Sequence, residues 1–271
     1  EREPPETWRD LRVFPILSVD ARQIIRDVSG EQLVVERNGN TWQITSPLPT
    51  RADADAVMQH IADLAGVQGE AVLLDQPPDI SAFGLKPPVA AVRVEGPGMS
   101  GRLLVGDRVG GASQARYGMV DGIPSIIRIG PDDVGRLLGD PAMLVDHTGT
   151  GVNAADVSSV VVRGEQEELR FNRMLDRWVE QSRGEAASGT VEQLLETLTR
   201  TRGSHVALHE RYPAEMEVAV ITLLDRSGGP LDSVRILRSQ TPEGVSWALE
   251  NGDNVLRVLP NGSALPLQGE E

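Results

Sequence analysis

Residues 31–66 read EQLVVERNGNTWQITSPLPTRADADAVMQHIADLAG, and this stretch decides the fold. Apolar and polar residues alternate over 32–37 and 41–45, which is the period of half-buried strands. The pair Asn38-Gly39 separates the two segments and favours a two-residue turn, because both residues tolerate positive φ angles. The stretch is therefore predicted to begin with a β-hairpin, in which Trp42 is the largest side chain.

A helix is predicted to follow this hairpin. Its apolar residues recur at the spacing of one helical stripe and are Val57, Ile61 and Leu64. Asp53 or Asp55 can cap its N-terminus, where the helix dipole favours carboxylates, and Gly66 is expected to end it. We expect the stripe to pack on a sheet face and to cover Trp42.

The same order of patterns returns in residues 167–200, which read EELRFNRMLDRWVEQSRGEAASGTVEQLLETLTR. Trp178 takes the place of the first tryptophan, and a helix opening at Thr190 repeats the spacing of the first helix. The closing strands also align, since SIIRIGP at 125–131 corresponds to NVLRVLP at 254–260. We interpret this recurrence as an internal duplication; the competing interpretation is one continuous α+β sheet with coincidental patterning.

Most of the predicted connections are too short for parallel crossovers, so the strands are expected to pair antiparallel. The predicted fold class is α+β, with two tandem repeats, each a mainly antiparallel sheet meander with one main helix packed on it. Residues 11–19 are apolar around a proline and are expected to form an edge segment. The predicted divisions are a linker-like lead-in at 1–10, a first repeat at 11–139, a linker at 140–152, a second repeat at 153–267 and a frayed tail at 268–271.

Composition limits the classes of function. The chain of 271 residues carries a net charge of -14, which repels phosphate backbones and argues against a nucleic-acid partner. It has no cysteine, so disulfides, thiolate metal sites and cysteine nucleophiles are excluded. Lys86 is the single lysine, and its surroundings, FGLKPP, lack the glycines of a phosphate-binding loop.

No run of about 18 apolar residues occurs, so no membrane-spanning helix is predicted. The chain begins at Glu1 with the charged, proline-containing sequence EREPPETWRD, which is typical of a linker. We therefore expect a processed or truncated N-terminus, with a signal peptide or membrane anchor upstream.

Two groups of residues could suggest metal sites. His205 and His209, with Glu210 beside them, could suggest a zinc site, because the two histidines would share one face of a helix, but the stretch corresponds to a short strand of the first half. Four residues of a strand span roughly 13 Å, which is too far for one ion. Asp53, Asp55 and Asp63 lack the glycine and the distal glutamate of a calcium loop. We interpret the first two as helix-capping and first-turn carboxylates, and we predict no metal site and no cofactor.

Two further patterns have structural interpretations. The sequence GDRVGG at 106–111 follows a predicted strand, but no helix N-terminus follows that could hold an anion. We interpret it as a mobile hairpin loop. Trp42 and Trp178 could stack on sugars, but their recurrence at one fold position beside the helix favours core packing.

Arg128 and Arg257 occupy equivalent places in the two halves. They are interpreted as outward-facing strand charges; the alternative is a pair of ligand-binding arginines. Tyr117 and Trp247 are also equivalent, and these four residues are the candidate interaction residues. No catalytic motif with an activated serine, metal-binding helix or serine–lysine pair occurs, so no catalytic residue is predicted.

The motifs of the first half, in order, resemble the domain-of-unknown-function 4340 family of bacteria. The resemblance covers about 10–140 and extends more weakly over 152–265, where the Ala-Asp pair and the Gly-Leu-x-Pro loop are absent. The matching segments are Leu11-Arg12-Val13-Phe14, Leu33 to Arg37, Trp42 to Pro47, Ala52-Asp53, Phe83 to Pro88, Leu104-Val105-Gly106 and Tyr117. The resemblance implies an extracytoplasmic region behind an N-terminal anchor and an association with ABC transporters of the gliding-motility type, but no activity.

The leading hypothesis is therefore a non-enzymatic extracytoplasmic module, periplasmic or at the cell surface, that serves a membrane-associated ABC-transport assembly as an accessory subunit. Its expected partners are membrane proteins, including ABC-transporter subunits, and it touches the membrane only through an upstream anchor. The alternative is a soluble protein that binds a small molecule or glycan in a groove between the repeats. A third hypothesis is a hydrolase that uses scattered aspartates and glutamates.

Overall fold

The computed structural model describes residues 13–14, 20–110, 113–208, 215–242, 244–263 and 265. The chain divides into two compact units between Asp146 and His147. Each unit contains one sheet in which all named strands pair antiparallel. The few helices and the antiparallel sheets confirm the predicted α+β class.

The first unit is a nine-stranded sheet in the order β4-β3-β2-β1-β6-β7-β8-β9-β5. Helix α1 leaves β4 at one edge of the sheet and leads to β5 at the other edge. Two 3₁₀ turns, Ser81–Phe83 and Pro141–Leu144, complete the unit. The elements are β1 (Gln23–Val28), β2 (Glu31–Asn38), β3 (Thr41–Ser46), β4 (Thr50–Arg51), α1 (Ala54–Ala65), β5 (Gly69–Asp75), β6 (Ala90–Gly96), β7 (Met99–Arg108), β8 (Arg116–Val120), β9 (Ser125–Ile129) and α2 (Pro131–Leu138).

Helix α1 forms as its sequence predicts. The Asp53 side chain accepts hydrogen bonds from the backbone N–H groups of Asp55 and Ala56, both at 3.0 Å, which satisfies two of the open donors of the first turn. Gly66 is the C-cap. The predicted stripe is buried, with Val57, Ile61 and Leu64 at most 1% exposed, and α1 contacts β3, which carries the buried Trp42.

The second unit is an eight-stranded sheet in the order β12-β11-β10-β14-β15-β16-β17-β13. The one helix among the described residues of this unit again lies in the chain between the strand at one edge and the strand at the other. The elements are β10 (Ser159–Gly164), β11 (Glu168–Met174), β12 (Arg177–Glu180), α3 (Ser188–Thr199), β13 (His205–Leu208), β14 (Glu215–Leu224), β15 (Pro230–Thr241), β16 (Gly244–Glu250) and β17 (Val255–Val258).

The core of the second unit joins Trp178 to the buried stripe of α3. The helix begins at Ser188, two residues before the predicted Thr190, and the Ser188 hydroxyl accepts a hydrogen bond from the Trp178 backbone N–H at 2.9 Å. This bond ties the helix start to β12. The helix side chains in the cluster are Val191, Leu194, Leu195 and Leu198. Trp42 and Trp178 are 4% and 2% exposed, so both tryptophans pack in a core as predicted.

Each of these tryptophans faces an arginine on the neighbouring strand. Arg37 lies opposite Trp42 in the β2–β3 register, and Arg173 lies opposite Trp178 in the β11–β12 register. The guanidinium carbons are 5.9 and 4.8 Å from the indole centroids, within the range of a cation–π contact. The arginine stems therefore close the rim of the core above each indole.

The glycine-rich segment at 106–111 differs from its prediction. Residues 106–108 belong to strand β7, so the interpretation of the whole segment as a mobile loop is wrong; Gly111 lies outside the described residues. Gly106 is buried because the loop before β6 passes directly over it. A Cβ added at Gly106 would lie 2.2 Å from the carbonyl oxygen of Phe83, so only glycine permits this approach.

The predicted linker at 140–152 is packed in both of its halves. Its first half belongs to the first unit, where Leu144 is buried and its carbonyl accepts a hydrogen bond from the Asp53 backbone N–H at 2.9 Å. Its second half belongs to the second unit, where the Thr150 N–H donates to the carbonyl of Leu198 at 3.0 Å. In the predicted edge segment at 11–19, Val13 and Phe14 are buried and the other residues lie outside the described part of the chain.

The hairpins at Gly39 and Leu175 differ in the residue that holds the left-handed turn position. Both turns have two residues between the last paired positions, Gly39-Asn40 in the first unit and Leu175-Asp176 in the second. The first turn residue is left-handed in each, with φ of 61° at Gly39 and 59° at Leu175. Glycine adopts this conformation without cost, whereas a leucine is strained there. Leu175 is also 98% exposed, so no burial compensates for the strain.

The contact over Gly106 gives a first prediction. Gly106→Ala is expected to lower the free energy of unfolding by about 1–3 kcal/mol, because the new methyl group meets backbone that has to move. Urea denaturation followed by circular dichroism measures the change. Gly110→Ala is the matched control, since a Cβ there meets nothing within 4 Å. Equal loss of stability in both variants would contradict the proposed contact.

The turn strain gives a second prediction with opposite signs in the two units. Leu175→Gly is expected to raise the free energy of unfolding, and Gly39→Leu to lower it, each by about 1 kcal/mol. The same denaturation measurement tests both. If Leu175→Gly lost stability, Leu175 would have to make a favourable contact that outweighs its backbone strain.

Candidate functional site

Tyr117 and Arg128 are cross-strand neighbours in the β8–β9 register. Arg128 forms an ion pair with Glu70, and its Nη2 donates to the Ser113 hydroxyl at 3.2 Å. The Tyr117 ring packs edge-on against Phe83, with 5.0 Å between ring centroids. Arg128 is half-buried and Tyr117 is half-buried as well, so this pair serves the packing of strands and loop in the first unit.

The interpretation of Arg257 as an outward-facing charge is wrong. The residue is 0% exposed. Its Nη1 and Nη2 donate to the two carboxylate oxygens of Asp253 at 3.0 and 2.7 Å, and Nη1 also donates to the carbonyl of Val255 at 2.9 Å. A buried arginine needs such a fork of acceptors because an unpaired charge in the interior is costly. Arg257 therefore holds the turn before β17.

Trp247 and Arg257 are not cross-strand neighbours, whereas their counterparts Tyr117 and Arg128 are. Arg257 lies opposite Leu249 in the β16–β17 register. Trp247 lies opposite Arg238 on β15, with 5.9 Å between the guanidinium carbon and the indole centroid. The four candidate interaction residues therefore do not form one equivalent site in each unit.

Among the candidate metal residues, Asp53 and Asp55 are placed as interpreted, at the N-cap and in the first turn of α1. Asp53 caps α1, and Asp63 accepts a hydrogen bond from Gln59 at 3.0 Å. His205 is on the edge strand β13 and is exposed, while His209 and Glu210 lie outside the described residues. Within the part of the chain that the structure describes, no group of three or more histidines, aspartates or glutamates could hold a metal ion.

Two basic side chains, one buried and one half-buried, lie near each other in the first unit. Arg26 on β1 is 6% exposed, and its guanidinium donates to the carbonyl of Gly139 at the end of α2. Burial lowers the pKa of Arg26, and the nearby Asp140 carboxylate acts in the opposite direction. Burial also lowers the pKa of His60 on α1, and the charge of Arg26 lowers that pKa further. A neutral His60 can lie beside the arginine, so this pair contributes to packing.

The second unit contains a polar pocket of about 570 Å³ at the ends of three neighbouring strands, a volume within the range of roughly 300–1,000 Å³ that is usual for ligand sites. In the register of these strands Ser159 lies opposite both Asn172 and Leu224. The lining residues are Ala155, Ser158, Ser159, Arg170, Asn172, Arg173, Leu175, Asp225, Arg226, Ser227 and Gly228. They come from the approach to β10, from β11 and its hairpin, and from the β14–β15 turn.

Strand alternation places the floor of this pocket on one face of the sheet. Val160 and Phe171 point into the core with α3. Their neighbours Ser159, Arg170 and Asn172 therefore lie on the opposite face. The Ser159 hydroxyl donates to Asn172 Oδ1 at 2.8 Å, and the Asn172 amide nitrogen donates to Gln181 Oε1 at 3.4 Å. One N–H of this amide group remains as a donor for the pocket.

The pocket is positively charged, with three arginines and one aspartate among its lining residues. Arg173 donates to the carbonyl of Ala154 at 3.1 Å and of Ala155 at 3.3 Å, which fixes its guanidinium at the rim. Among the described residues, neither Arg170 nor Arg226 forms a side-chain hydrogen bond or ion pair. Both side chains are exposed, so their charges remain available to a ligand.

The single carboxylate of the pocket is engaged in its own turn. Asp225 Oδ1 accepts hydrogen bonds from the Ser227 and Gly229 backbone N–H groups, both at 2.8 Å, and from the Ser227 hydroxyl at 2.7 Å. The hydrogen bond from the Ser227 hydroxyl is the main reason why the pKa of Asp225 lies below its ordinary value. The carboxylate therefore shapes the turn at neutral pH through its Oδ1 atom.

The sequence prediction missed this pocket, although one signal pointed to it. The halves align with Gly39 at the position of Leu175, so the second hairpin carries Met174-Leu175 where the first carries Asn38-Gly39. A turn position that favours glycine but holds a leucine is a departure that needs a cause. The arginines alone gave no signal, because exposed strand arginines are common.

Comparison with known proteins identifies the family. The model of the family described as "Domain of unknown function (DUF4340)" matches residues 42–218, which is more than half of the chain. No curated protein and no solved structure matches the chain. No helix in the described ranges is long and apolar enough to cross a membrane. Since the matched region runs from β3 of the first unit to β14 of the second, we conclude that the chain belongs to the DUF4340 family.

Proposed function

We propose that this protein is a non-enzymatic interaction module on the extracytoplasmic side of a membrane, where it serves an ABC-transport assembly as an accessory subunit. Membership of the family supports the proposal through the resemblance set out above. The ionisable side chains named in the next sentence support the non-enzymatic part of the proposal, because each has a structural role. Asp53 caps a helix, Arg257 and Asp253 stabilise a buried turn, and Arg128 pairs with Glu70.

We also propose that the two units arose by tandem duplication. Both strand orders follow one scheme, in which the first three strands run outward to one edge and the strand after the helix lies at the other edge. The paired Arg37–Trp42 and Arg173–Trp178 occupy the same place in that scheme. In the second unit a single bridge between Val179 and Ala186 stands where β4 pairs with β3.

The observation that carries the interaction role is an open sheet edge with exposed leucines in each unit. In the described part of the chain, β5 and β13 each pair with a neighbour on one side only. Leu73 and Leu74 on β5 are 42% and 40% exposed, and Leu208 on β13 is 39% exposed. Natural proteins usually place charged side chains on such edges, because an open edge can pair with a strand of another chain. A partner segment that extends the sheet would satisfy the backbone groups of β5 and cover its leucines.

The test is co-purification of the full-length protein with the subunits of an ABC transporter from its own genome, after solubilisation in mild detergent. Leu73→Lys is expected to reduce recovery of a transporter subunit on the order of tenfold, because a charged side chain on an edge strand disfavours addition of a further strand.

Met143→Lys is the matched control, since Met143 is 72% exposed in the same unit but lies in a 3₁₀ turn away from the edge. The proposal is wrong if no transporter subunit accompanies the unsubstituted protein. The assignment of the edge is wrong if both substitutions reduce recovery equally.

A further inference from the structure

We propose that the polar pocket of the second unit binds the phosphate group of an anionic phospholipid, with the Leu175 hairpin entering the membrane interface beside it. The inference deepens the proposed function and rests on its placement of the module next to a membrane. It identifies a second contact with the bilayer, formed by the folded chain itself and distinct from any anchor.

The chemistry of the pocket fits a phosphate monoanion or diester. Arg170 and Arg226 present guanidinium groups that no described residue neutralises, and guanidinium groups match phosphate oxygens with paired donors. Ser158 and Asn172 add a neutral hydroxyl and a neutral amide donor that suit the ester and glycerol oxygens of a headgroup. The carboxylate of Asp225 is turned into its own loop, so it opposes an anion less than an open carboxylate would.

The hairpin tip explains why the anion is held at a membrane and not in solution. Leu175 lines the pocket and is 98% exposed, and Met174 beside it is 56% exposed. Apolar side chains next to exposed arginines are the arrangement by which proteins lie in a lipid interface, with the apolar part below the headgroups and the charges among them. A soluble phosphate ester would leave both apolar side chains in water.

The strained turn is a second, independent observation. Leu175 has φ of 59° in a turn whose counterpart carries Gly39. A leucine that is both strained and exposed contributes nothing to the folded monomer that glycine would not. Its contribution therefore lies in what the tip contacts, and the neighbouring arginines indicate an anionic surface.

The net negative charge of the chain limits which of its groups can attract an anionic bilayer. At a net charge of -14, the protein as a whole is repelled by an anionic bilayer. The charges are screened over about 8 Å at physiological salt, so only groups close to the surface attract it. Binding to anionic lipid must then depend on the arginines at the pocket, and it cannot come from general electrostatic attraction.

Vesicle sedimentation with the purified 271-residue chain tests the proposal. The probes are vesicles of phosphatidylcholine alone and of equimolar phosphatidylcholine and phosphatidylglycerol. The unsubstituted protein is expected to sediment with the anionic vesicles and not with the neutral ones. The double variant Arg170→Gln, Arg226→Gln is expected to lower the partition coefficient on the order of tenfold, because each arginine near an anionic surface contributes to binding.

Two further variants test whether binding depends on arginines outside the pocket and on the hairpin tip. Arg163→Gln removes one positive charge from an exposed arginine of β10, which lies outside the pocket and pairs with Glu168, and it should leave sedimentation unchanged. Leu175→Gly relieves the turn strain, so it folds at least as well as the parent, yet it should also lower the partition coefficient severalfold.

Equal binding to both kinds of vesicle would overturn the proposal, as would an effect of Arg163→Gln as large as that of the double variant. Full vesicle binding by Leu175→Gly, together with competition by soluble glycerol phosphate, would show a site for small anions and would overturn the membrane contact. Because the assay contains no transporter, its failure is separate from a failure of co-purification.

Discussion

One amphipathic helix has to cover a sheet face in each unit, and the rest of the structure depends on how this is achieved. Aromatic residues make up only 3% of the chain, so the cores are aliphatic with one large indole beneath each helix. Trp42 and Trp178 fill that place, and an arginine from the neighbouring strand closes the rim above each. The helix also lies in the chain between strands at opposite edges of its sheet. The same element therefore covers the core and sets the topology, which explains why its capping and its stripe were the strongest signals in the sequence.

Local patterns predicted the strands and helices well, because turn residues and periodicity act within a few neighbours. Helix α1 has the predicted caps, Asp53 and Gly66, and the first predicted hairpin turns at Gly39, whose φ is positive. The order of strands in each sheet could not be predicted, since pairing of β1 with β6 joins segments far apart in the chain. Arg257 was misinterpreted for a related reason. All four residues of β17 are buried, so alternation along this strand does not mark a solvent face.

The pocket was beyond sequence reasoning because three separate segments form it, and each has an ordinary composition. What the sequence did contain was a difference between two otherwise matching hairpins. In a chain with internal similarity, positions where the halves differ against the local backbone preference indicate function better than positions where they agree. Gly39 and Leu175 are such a pair, and the positions that agree, including the tryptophans, serve the core. This distinction separates the residues that build each unit from those that give the second unit its own surface.

The placement of β5 has a consequence for how the chain is synthesised. The strand leaves the ribosome directly after α1, but its partner β9 follows only after β6, β7 and β8 have been made. During that interval Leu73 and Leu74 have no sheet to join, whereas β1, β2 and β3 can already form local hairpins. This topology allows the first unit to assemble from its hairpin edge inward and to close last at the β5 edge. A nascent chain in this state exposes the same strand that we propose as the edge for a partner, so a chaperone and such a partner would compete for one segment.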